Sequence, residues 1–91
     1  MKSITVLYRP DALDELQATL LAAFDSGVER VVLDLDGIAQ LDAGGVRGLI
    51  ALLRRSRDVG GVVAVHTSRS DIARSLDEMA LDRLFPVVSA A

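Results

Sequence analysis

Residues 30–45, RVVLDLDGIAQLDAGG, decide how the chain folds. Arg30 to Leu35 is a short, nearly continuous apolar run, the pattern of a strand covered on both faces, and Asp36-Gly37 ends it. After the loop, Val46, Leu49, Ile50 and Leu53 return at helical spacing, and Gly60-Gly61 stops that helix. A strand that runs through a loop into a helix, with no hairpin turn, is one unit of an α/β layer.

The same alternation continues in both directions. Upstream, Ser3 to Tyr8 (SITVLY) is rich in β-branched and large apolar residues and stops at Arg9-Pro10. From Asp11 the pattern changes: Leu13, Leu16, Leu20 and Phe24 share one helix face, Asp11 and Asp14 stand at N-cap and N3 spacing, and Ser26-Gly27 supplies the stop. Downstream, Val62 to His66 (VVAVH) reads as a third buried strand. Ser70-Asp71 opens a third helix carrying Ile72, Leu76 and Met79, and Leu81, Leu84 and Phe85 continue its apolar surface up to Pro86. Val87-Val88 is short for a fourth strand. The order βαβαβαβ predicts a single small α/β domain over residues 1–91. Its sheet is mainly parallel and four-stranded, with three helices as right-handed crossovers.

Composition narrows the function. A chain of 91 residues suits one domain. Leu, Ile, Val and Phe make up about a third of it, well above the range of disordered chains. Tyr8, Phe24 and Phe85 are the only aromatics, which leaves no stacking platform for single-stranded nucleic acid. A formal charge of -3 repels a polyanion, so nucleic acid is not an expected partner. With no cysteine there is no disulfide framework, thiolate metal site or cysteine nucleophile. No stretch approaches the roughly 20 apolar residues of a membrane span, and the N-terminus MKSITVLYRPD lacks the apolar region of a signal peptide. The expectation is a soluble, cytoplasmic protein that does not insert into a membrane.

In open α/β sheets, ligands and partners gather at the carboxyl ends of strands, which directs attention to the loop after the second strand. Gly44 and Gly45 open a helix whose first amides have no intrahelical acceptor, so backbone can approach an anion or a partner closely. A P-loop needs a lysine and a hydroxyl there; the only lysine is Lys2, and Val46-Arg47 occupy those places. The spacing of Gly44-Gly45-Val46-Arg47-Gly48 also fails the dinucleotide fingerprint. Asp34, Asp36 and Asp42 form a local acidic group. They suit Mg²⁺ with water, or else Asp42 caps the helix while the others are solvated. His66 has no cysteine, second histidine or placed serine beside it in the sequence. Arg54, Arg55 and Arg57 complement the dipole at the end of the second helix, or meet an acidic partner surface. Gly48 inside that helix suggests close approach by another backbone, or a tolerated loss of about 1 kcal/mol. No cofactor, metal or catalytic set is indicated, and an enzyme is not expected.

Four segments together resemble the STAS domain. They are Val31 to Ile38, Leu41-Asp42-Ala43-Gly44-Gly45, Leu49 to Arg57 with Gly60-Gly61, and Leu81-Asp82-Arg83-Leu84-Phe85-Pro86-Val87. That family comprises anti-sigma factor antagonists and the cytoplasmic domains of sulfate transporters, and the resemblance covers nearly the whole chain from Ile4. In the family the loop reads Asp-Ser-Ser/Ala/Thr-Gly, and a kinase that is also the anti-sigma factor phosphorylates the serine after the aspartate. Here that phosphoacceptor position is occupied by Ala43. The N-terminus departs from the family pattern as well, one strand short of the usual paired opening strands, and the expectation is an exposed edge that invites pairing with another chain, a homodimer included.

What the resemblance implies is a bacterial binding module for transcription regulation. Its surface would run through Gly37, Ile38, Leu41, Asp42, Ala43, Gly44 and Gly45 and along the second helix through Arg47, Ala51, Arg54 and Arg55. The partner would be a kinase-type anti-sigma factor, bound without a phosphoserine switch. An alternative is an accessory subunit on the ATPase of a lipid-transport ABC complex; a nucleotide or small-molecule sensor is the remote third.

Overall fold

The computed structural model describes residues 2–88. The elements are β1 (Ser3–Leu7), α1 (Leu13–Asp25), β2 (Arg30–Asp34), α2 (Ala43–Asp58), β3 (Val62–His66), α3 (Ser70–Glu78) and a 3-10 turn at Leu81–Arg83. The strands lie in the order β1-β2-β3, all parallel, with Thr5 beside Val32 and Val32 beside Ala64.

The sheet has three strands rather than the four the sequence suggested. Beyond β3 the chain makes one parallel bridge, Val87 to Val65. There the Val65 amide donates to Pro86 O at 2.9 Å and the Val88 amide donates to Val65 O at 2.8 Å. Pro86 brings an acceptor and no donor, so the contact stays a bridge and does not become a ladder. This tail occupies the outer edge of β3. The outer edge of β1 has no partner among the described residues.

Alternation sorts the strand side chains. Ile4, Val6, Val31, Leu33, Val63 and Val65 point to one face and join a core with Leu16, Leu20, Leu49, Leu52, Leu53, Ile72, Leu76, Leu81 and Phe85. Right-handed crossovers that all step the same way across a sheet put their helices on one side, and this core, with residues from all three helices, is that side. The continuous apolar run of β2 therefore does not mean helices on both faces. On the reverse face Val32 and Ala64 are buried, but Thr5, Leu7 and Val62 around them are exposed.

Helix α1 begins later than its acidic residues suggest. The Ala12 amide donates to Arg9 O at 3.0 Å, closing a turn with Pro10 at its second position. Ala12 is then the N-cap and no side chain caps the helix; Asp11 does not. Helix α2 follows the expectation: Asp42 Oδ1 accepts the Gly45 amide at 2.8 Å. At its far end Gly60 adopts a left-handed φ of 74°, open to glycine without strain, and the Gly61 amide returns to Ser56 O.

Candidate functional site

The loop from Leu35 to Asp42 and the first turn of α2 sit at the carboxyl end of β2, held from beneath and from the side. Beneath lies Tyr8, which follows β1 and is 1% exposed. Its hydroxyl donates to Gly45 O at 2.6 Å, fixing the first turn of α2 to the end of β1. Burial first, and Asp42 nearby second, push the phenol up to about 12, so it stays a donor at neutral pH. Gly48, one turn further, faces the same ring. A methyl group there would collide with the Tyr8 hydroxyl and meet Leu13 at 3.0 Å. A side chain, and not a second backbone, accounts for this glycine.

From the side, the turn between β3 and α3 grips the loop. Asp36 Oδ1 accepts the Thr67 hydroxyl at 2.7 Å and the Ser68 amide at 2.9 Å, and Oδ2 accepts the Ser68 hydroxyl. The Ser68 hydroxyl foremost, then the Thr67 hydroxyl and the Ser68 amide, hold this carboxyl well below the ordinary 3.8, at about 2. Arg69 donates to the carbonyls of Ile38 and Ala39, the latter at 2.9 Å, with Asp36 O at 3.5 Å. Asp71 pairs with the same guanidinium at 2.7 Å; that hydrogen bond raises Arg69 and lowers Asp71. Sequence reading gave Thr67, Ser68 and Arg69 no part in holding the loop, because polar residues after a strand read as ordinary loop and the loop groups they bond lie 30 or more positions away.

The acidic group does not come together. Asp34 Oδ1 accepts the Asp36 amide at 2.9 Å, Asp36 faces Thr67 and Ser68, and Asp42 caps α2, so neither Asp34 nor Asp36 is merely solvated. Among the described residues no three His, Cys, Asp or Glu are grouped to hold a metal ion. His66 is half-buried, its Nδ1 2.7 Å from Val88 O.

Most of what the loop and the first turn of α2 present is small, Gln40 being the exception. Gly37, Asp42, Ala43 and Gly44 are exposed, while Ile38 and Leu41 are 8% exposed and, with buried Gly45, anchor the loop to the core. Along α2, Ala43, Arg47, Ala51 and Arg54 recur at helical spacing as one exposed stripe, with Arg55 beside it. Arg55 meets Asp58 at 3.7 Å, an exposed pair worth well under about 1 kcal/mol, which leaves the stripe's cationic character intact. A cleft of about 490 Å³ lies at the other end of α2 between Leu21, Phe24, Asp25, Arg55 and Val59. It opens on none of the loop residues.

No helix among the described residues is long and apolar enough to cross a membrane. No curated protein matches the chain. Its fold is similar to that of the protein TM1081, solved by NMR, with a TM-score of 0.72 over 96% of this chain and 74% of that one, at 14% identity. The family model described as "Mlab, STAS domain" matches residues 8–88, which include the loop, α2 and the turn that grips them. On that match, the chain belongs to the STAS family.

Proposed function

We propose that the protein is a non-catalytic docking module whose contact surface is the first turn of α2 and the arginine stripe behind it. The observation that carries this reading is the exposure of Ala43 and Gly44 on a turn fixed by Tyr8 and the Asp42 cap, next to a loop that Arg69 holds, at the strand end where α/β sheets gather partners. The Thr67 and Ser68 hydroxyls are donated to Asp36, and neither stands in for the hydroxyl that Ala43 lacks. A phosphate at position 43 would bring about -1.5 to -2 charges beside Asp42. Alanine accepts none, so docking through this turn is permanently enabled.

The partner in this reading is a kinase-type anti-sigma factor. A second reading, a subunit seated on the ATPase of a lipid-transport ABC complex, is favoured by the family description, which names Mlab. The experiment is affinity capture from the native host with wild-type and Ala43→Glu baits. Glutamate in the first turn suits the helix dipole, so this variant folds. Wild type retains either the anti-sigma kinase or the ABC ATPase, and Ala43→Glu loses at least about tenfold in affinity, roughly 1.4 kcal/mol. Recovery of neither ATPase, or equal recovery by both baits, refutes the proposal.

A further inference from the structure

We propose that the chain forms a two-fold dimer in solution by antiparallel pairing of β1 with the β1 strand of a second copy. This goes beyond the docking reading and uses a different part of the molecule, the open edge of the sheet. The Tyr8 amide donates to Asp34 O at 2.9 Å, and Lys2 O accepts from Glu29 and Arg30. Lys2, Ile4, Val6 and Tyr8 thus turn their peptide groups toward β2, and by alternation Ser3, Thr5 and Leu7 turn theirs outward.

The outward set is self-complementary. Centred on Thr5, an antiparallel pair sets Thr5 against Thr5 and Ser3 against Leu7, and every outward N–H and C=O finds its opposite number. On the core face the same register lays Ile4 against Val6, both half-buried in one copy. On the reverse face Leu7, 50% exposed, gains a neighbour. Residues 3–7 carry no charge, proline or glycine, the devices that blunt an edge. Lys2 comes opposite the second copy's Tyr8. Because Pro86–Val88 already occupy the outer edge of β3, pairing closes at two copies and does not grow into a fibre. Helix α2 packs on β3 and α1 and not on β1, so both docking surfaces stay open.

Sedimentation velocity on the full chain over a concentration series tests this. Wild type sediments as a dimer. The Thr5 amide makes no bond to β2, so Thr5→Pro removes an outward donor and no bond within the sheet. It stays folded by circular dichroism and raises the dissociation constant at least about tenfold. Thr5→Lys and Thr5→Glu are each monomeric, because like charges stand directly opposite, and an equimolar mixture of the two restores a dimer. A wild type that stays monomeric to about 1 mM overturns the proposal, since weaker pairing than that is no specific interface. So does a dimer that all three variants leave unchanged, or a Lys and Glu mixture that stays monomeric. Should Thr5→Pro unfold, the Lys and Glu pair decides.

Discussion

The docking loop rests on two supports of opposite character. Tyr8 is a buried aromatic with one hydrogen bond, packed between β1 and a glycine on α2. The Asp36 and Arg69 clasp is a set of charge-assisted bonds at the rim, running from the β3–α3 turn to the Asp36 carboxylate and to loop carbonyls. Buried contacts are lost only when the fold is lost, so Tyr8 underwrites the stability of the whole domain. Rim contacts compete with water and contribute little globally, yet they select one conformation from the many that a loop of this length can sample. One support keeps the domain folded and the other keeps the loop in shape.

That division can be broken most forcefully at Gly48. Gly48→Ala should gain about 1 kcal/mol of helix propensity and still destabilise the protein by about 1–3 kcal/mol net, because its methyl meets the Tyr8 hydroxyl and Leu13. Chemical denaturation reads this, and a stabilised variant would contradict the packing. Next, Tyr8→Phe should cost about 1 kcal/mol, the net worth of one buried hydrogen bond. The double variant should cost less than the two singles together, since phenylalanine lacks the oxygen that the added methyl would strike.

On the rim the effects are local. Arg69→Ala should leave the unfolding midpoint nearly unchanged while amides in the Asp36 to Leu41 loop exchange with solvent about tenfold faster. Uniform acceleration across β3 and α2 would show that the clasp supports the core after all. The smallest effect is in acid. Asp36 sits at about 2 when folded against 3.8 ordinarily, so its stabilising contribution is complete above pH 4 and fades as pH falls toward 2. Asp36→Asn should flatten stability over that interval; an unchanged acid limb would remove the Thr67 and Ser68 bonds from the account.

Much of this architecture was legible in the sequence. Strand and helix periods marked out all three helices and the three strands of the sheet, plus a fourth strand that the structure reduces to a bridge, and Asp42 announced its cap. Other features were not legible, for physical reasons. Val87-Val88 is too short a run to tell a ladder from a bridge. Asp11 and Asp14 had capping spacing, but Pro10 drew Asp11 into a turn. The apolar run of β2 suggested two covered faces, yet a central strand can bury Val32 without a helix above it. Arg69 bonds backbone carbonyls, which leave no mark in sequence at all.

Nuclear magnetic resonance of the labelled chain, titrated with the captured ATPase, tests the central claim most directly. Amides from Asp42 through Arg47 and at Ala51 and Arg54 should shift or broaden, with β1 and the turn at Leu81–Arg83 quiet. A footprint confined to the cleft of Leu21, Phe24 and Val59, with Ala43 and Gly44 unmoved, would contradict it.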